Sequence, residues 1–92
     1  MEEDASGAGL SREVGQAIEM AIDLALAGRW DEAHGIVQDR SDHLSAWVHA
    51  VLHKIEGDAS NSRYWYRRAG RLDCVEREPL EELRSIRTLI AG

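Results

Sequence analysis

The stretch AWVHAVLHKIEGDASNSRYWYRRA, residues 46–69, decides the fold, because AIEMAIDLALAGRWDEAHGIVQDR at 17–40 matches it without a gap at an offset of 29 residues. Ala17 pairs with Ala46, Ala21 with Ala50, Ile22 with Val51, Leu26 with Ile55, Gly28 with Gly57 and Ala33 with Ser62. In each copy apolar residues recur at spacings of three and four, which places them on one side of a helix. Each helix then meets a glycine, which takes the left-handed conformation just past a helix end without steric cost. A second helical run follows, so each copy predicts a helical hairpin.

Working outward, the first helix is expected from near Ser11, whose hydroxyl can cap it, to Gly28, with Val14, Ala17, Ile18, Ala21, Ile22, Ala25 and Leu26 as its apolar stripe. Helices are expected over about 30 to 38, 44 to 56 and 60 to 69, followed by a loop over 70 to 78. Pro79 suits a first helical turn, where its missing amide hydrogen is not needed. Leu80, Leu83, Ile86 and Ile90 then make a final amphipathic helix. Nothing reads as a strand. The predicted fold is all-α: two antiparallel helical hairpins and a C-terminal closing helix in a single domain over 10–92, after a mobile acidic tail at 1–9.

A small residue, a glycine seven positions on and a second small residue five beyond it form a pattern that resembles the tetratricopeptide repeat. The matching residues are Ala21, Gly28, Ala33 and Val37 in one copy and Ala50, Gly57, Ser62, Tyr66 and Ala69 in the other. The spacing is shorter than that family's usual repeat, and Ala17 and Ala46 stand where it has an aromatic. The resemblance implies antiparallel helix pairs and a protein-binding groove. EGDASNSRYWYRRAGR, 56–71, with WVHAVLHK before it, is similar to a family of small microbial helical proteins that share an aromatic and arginine-rich helix. That resemblance implies the helical fold and no activity.

Ninety-two residues bury only a modest core, so the chain stands alone with little margin or gains stability by forming a homodimer. One cysteine, Cys74, forms no internal disulfide, no apolar run approaches ~20 residues, and MEEDASGAG is acidic where a signal peptide is basic. A reduced, soluble, cytoplasmic protein without membrane contact is expected. The net charge of −6 argues against nucleic-acid binding, which draws its non-specific affinity from clustered Lys and Arg. The charge is uneven, however. Between Asp58 and Asp73 lie Arg63, Arg67, Arg68 and Arg71 and no acid, so this segment is +4 and the rest of the chain −10.

HAVLH, 49–53, carries the most informative departure between the copies: His49 and His53 stand where the first copy has Met20 and Leu24. His49, His53 and Glu56 fall in one sector of the helical wheel, beside the small residues Ala46 and Ala50, which suggest a helix packed over that face. Three readings apply. A metal site would need a further donor such as Cys74 or His34. A functional acid, base or ligand-contacting pair would sit in a polar pocket of His49, His53, Glu56 and Tyr66 with Arg67. The preferred reading is structural: neutral, partly buried imidazoles bonded to Tyr66 or to a carboxylate. No metal and no cofactor are assigned from the sequence.

In YWYRRAG, Tyr66 lies on the inward stripe and Trp65 flanks it, and the chain has no phenylalanine, so both are read as core. Arg63, Tyr64, Arg67 and Arg68 point the other way, a set that can hold a carboxylate or phosphate through bidentate guanidinium contacts. Solvated arginines pairing with Asp58, Asp73 or Glu76 are the bland alternative. Trp30 and Trp47 read as packing residues, and Cys74 falls in a polar loop. No nucleophile elbow, metalloprotease motif or glycine-rich phosphate loop is present. The expected function is a small helical interaction or adaptor module for an acidic or peptide partner; the alternative is a small-molecule-binding protein or enzyme using the polar pocket.

Overall fold

In the computed structural model, which describes residues 12–91, the hydrophobic periodicity becomes five α-helices, and no strand occurs among the described residues. They are α1 (Arg12–Leu26), α2 (Trp30–Val37), α3 (His43–Glu56), α4 (Ala59–Ala69) and α5 (Pro79–Ala91), with a short 3-10 turn over Leu72–Cys74 before α5. The expected tail over 1–9 and the cap at Ser11 lie outside the described residues. The observed helix bounds fall within about one residue of those expected. Asp42 and Asp58 set two of the starts, their carboxylates accepting from the backbone amides of Ser45 (2.9 Å) and Asn61 (3.3 Å). Gly57 closes α3 at φ 88° and Gly70 closes α4 at φ 71°, a region that costs a side-chain-bearing residue but not glycine.

The chain packs as two helical hairpins, α1 on α2 and α3 on α4, with α5 laid against α1 and α3. Ala21, Ala33 and Ala50 are fully buried and Ser62 nearly so, and the Ser62 hydroxyl donates to the Ala50 carbonyl at 2.8 Å, so α4 approaches the α3 backbone directly. Arg87 reaches from α5 to Asp23 (3.0 Å) and Glu19 (3.6 Å) on α1. Helix α3 is the axis of the molecule. It touches all four other helices and is buried without interruption from Ser45 to His53.

That central position explains where the two copies part. Met20 on α1 is 59% exposed and Leu24 only half-buried, whereas their counterparts His49 and His53 are covered. Of these two apolar positions of the first copy, Leu24 packs against the core and Met20 does not. Cys74 also differs from expectation: it lies within the 3-10 turn and is buried, not in an open polar loop. No helix among the described residues is long and apolar enough to cross a membrane.

Candidate functional site

His49 and His53 are one helical turn apart on α3, so their rings lie over one another, with centroids 5.0 Å apart and 22° between planes. Helix α2 supplies a third imidazole to the same place. Nε2 of His34 is 3.0 Å from Nε2 of His49, and a ring nitrogen of each histidine lies within 4.8 Å of those of the other two. Two tryptophans wall the group: Trp65 of α4 stacks on His49 at 3.9 Å, and Trp30 of α2 stacks on His34 at 4.7 Å while meeting His53 edge-on. Trp30 is itself fixed by donating its indole hydrogen to the Leu52 carbonyl at 2.6 Å. Of the two outside donors raised for HAVLH, then, His34 joins the cluster. Cys74 belongs to no such group among the described residues.

The proton chemistry follows from burial. Taking His49 out of water, and setting it beside His34 and then His53, pushes its pKa down to about 4. His34 is lowered as well, first by desolvation and then by His53. His53 Nδ1 lies 3.2 Å from a Glu56 oxygen; an ionised carboxylate only accepts, so this nitrogen carries a hydrogen. At the His34–His49 contact one hydrogen bridges two nitrogens. Nδ1 of His49 is buried with no hydrogen-bond partner among the described residues. The cluster therefore gathers three imidazoles in an aromatic-walled site, held close by packing and not by full hydrogen-bond satisfaction.

Tyr66 does not belong to this group, which corrects the expected polar pocket; of the two partners expected for the imidazoles, Tyr66 or a carboxylate, it is the Glu56 carboxylate that meets His53. Its hydroxyl donates to both carboxylate oxygens of Glu82 on α5, at 2.7 and 2.8 Å. Glu82 is completely buried and also accepts from the Trp47 indole (2.7 Å) and the Lys54 ammonium (2.9 Å). The carbonyls of Cys74, Val75 and Arg77 also lie at hydrogen-bond distance from the Lys54 ammonium, so four acceptors share its three hydrogens. Burial and then the bond to Glu82 raise the Tyr66 pKa well above its ordinary value, so the hydroxyl stays a donor. Sequence reasoning passed over Glu82. Its signal was present: it stands four residues before Ile86 and next to Leu83, on the inner stripe of α5. Arg67, the remaining member of the expected pocket, is exposed.

Arg63, Tyr64, Arg67 and Arg68 all lie on the exposed side of α4, as their spacing predicts. The bland reading paired this arginine segment with acids, yet among the described residues none of Arg63, Arg67, Arg68 and Arg71 has a carboxylate within ion-pairing distance. Aromatic faces hold two of them instead. Arg71 lies over the Trp47 ring at 4.4 Å; Arg68 lies over Trp65 at 5.4 Å and Tyr64 at 5.8 Å and donates to the Tyr64 hydroxyl at 3.3 Å. Beside Arg68 a cleft of about 140 Å³ is lined by Arg40, Ser41, His43, Ala46 and Trp65. Comparison of the chain with family models, curated proteins and solved structures found no match.

Proposed function

We propose that the protein is a small helical interaction module that binds an acidic segment of a partner through the arginine face of α4, with the cleft beside Arg68 taking one carboxylate or phosphate group. The observation that carries this reading is the set of arginines with no carboxylate at ion-pairing distance among the described residues, in a chain of net charge −6. An acidic protein that keeps its local cations away from its own acids presents a surface complementary to an acidic partner. The guanidinium of Arg68 is oriented by Trp65 and Tyr64 before any ligand arrives, which reduces the ordering cost of a bidentate contact. Scale decides between a side chain and a whole small molecule: ligand pockets run to roughly 300–1,000 Å³, and this cleft is about 140 Å³.

Calorimetry with a Glu- and Asp-rich peptide, and with its neutral Gln and Asn counterpart, tests the proposal. The acidic peptide binds, the neutral one does not, the affinity falls as salt rises, and Arg67→Ala with Arg68→Ala lowers it at least tenfold. Equal affinity in wild type and double variant removes this face from consideration.

A further inference from the structure

We propose that His34, His49 and His53 form a three-imidazole site for a divalent late transition metal, zinc foremost, at the junction of α2 and α3, with Glu56 orienting His53. The inference does not depend on the arginine face.

The donor set comes first. Three imidazoles with a ring nitrogen each inside a 4.8 Å circle suit zinc, copper, nickel or cobalt, and suit calcium or magnesium poorly, since those ions prefer oxygen. Tetrahedral zinc with Zn–N bonds of roughly 2.0–2.1 Å holds its nitrogens about 3.3–3.4 Å apart. The His34–His49 pair, at 3.0 Å, is already near that separation. Three protein nitrogens leave a fourth position for water or an exogenous ligand, the arrangement of zinc sites that keep an open coordination place.

The surroundings are those of a positioned site. Stacking on Trp65 and Trp30 fixes the planes of His49 and His34. Glu56 takes the Nδ1 hydrogen of His53, the same carboxylate–histidine relay that sets tautomer and orientation in metal centres. Because the ligands come from α2 and α3, the ion would clamp the first hairpin to the second.

The chain also contains its own control. Its fourth histidine, His43, is on α3 but exposed and belongs to no such cluster. Tag-free protein is titrated with Co²⁺ and then Zn²⁺ while visible absorption, melting temperature and the histidine ring NMR signals are followed. One equivalent of Co²⁺ should give the intense visible bands of a four-coordinate site, Zn²⁺ should displace it, and melting should rise with Zn²⁺ concentration. The signals of His34, His49 and His53 should move and that of His43 should stay. His43→Ala should bind like wild type, Glu56→Gln should bind about 10–100-fold more weakly, and His49→Met with His53→Leu should lose more than about 100-fold. Wild-type protein that shows neither cobalt bands nor a zinc-dependent melting shift overturns the proposal. So does a titration that moves His43 and spares the other three, and both readings need no variant to fold.

Discussion

The Tyr66 hydroxyl and the Glu82 carboxylate meet in a bifurcated hydrogen bond, 2.7 and 2.8 Å long, at a point where α3, α4 and α5 converge. Glu82 accepts from Tyr66, Trp47 and Lys54 at once, so its removal strands the buried Tyr66 and Trp47 donors and takes from Lys54 its counter-charge. Glu82→Ala should destabilise by about 3–5 kcal/mol, as losing one partner of a buried ion pair does. Tyr66→Phe removes one donor and leaves the other two in place, and should cost about 1–3 kcal/mol. Urea unfolding of both variants checks the order: a Glu82→Ala protein less perturbed than Tyr66→Phe would show that Glu82 does not organise this junction.

Ala50 faces α4 so closely that its carbonyl receives the Ser62 hydroxyl, and its side chain is fully buried. A larger residue there must push two helices apart or take a poor rotamer. Ala50→Leu should cost about 1–3 kcal/mol. Met20 supplies the contrast: at 59% exposure, Met20→Ala should fall within about 0.5 kcal/mol of wild type. Thermal melts of the two variants separate a close helix contact from a position that is helical but uncovered.

Much of the architecture can be read from local signals. Gly57 and Gly70 end helices at left-handed φ, Pro79 opens α5, and Ala21, Ala33, Ala50 and Ser62 mark close packing, because each is a consequence of backbone geometry within a few residues. The candidate sites divide differently. The outward set Arg63, Tyr64, Arg67 and Arg68 follows from helical spacing alone. The membership of His34 and the exclusion of Tyr66 do not, since they depend on how α2 and α5 meet α3, which no periodicity within one helix encodes. The internal repeat misleads in one respect: it equates Met20 with His49, although α3 has neighbours on every side and α1 does not.

Trp65 lies flat on His49 at 3.9 Å and shields it from water. Trp65→Ala should readmit solvent and weaken the desolvation that holds the imidazole pKa near 4. The His49 value should then rise toward 6.5 in an NMR titration of the folded variant. A value that stays near 4 would assign the shift to His34 and His53 in place of burial.

The pH dependence of stability should carry the signature of His49. Its pKa is about 4 folded and 6.5 ordinarily, so above pH 6.5 it is neutral in both states and contributes no pH dependence. Between 6.5 and 4 the unfolded chain binds a proton that the folded chain refuses, and stability falls as pH drops, levelling off below the folded value. At about 1.4 kcal/mol per pH unit the full loss is roughly 2–4 kcal/mol. His34 is lowered too and adds to the loss in the same direction, while Glu56 and Asp31 partly oppose the shift at His34. The carboxylates of Asp58 and Glu78, lowered chiefly by hydrogen bonds from Asn61 and from the Glu81 amide, add their own acid sensitivity below the ordinary carboxylate range. Comparison with His49→Met, His53→Leu isolates His49 and His53, because that variant keeps His34 and the carboxylates. In urea titrations from pH 8 to pH 4.5 with a chelator present, the wild type should lose stability through this window and the variant should lose clearly less. Parallel curves would mean that the histidines are as accessible to protons in the folded protein as in the unfolded chain.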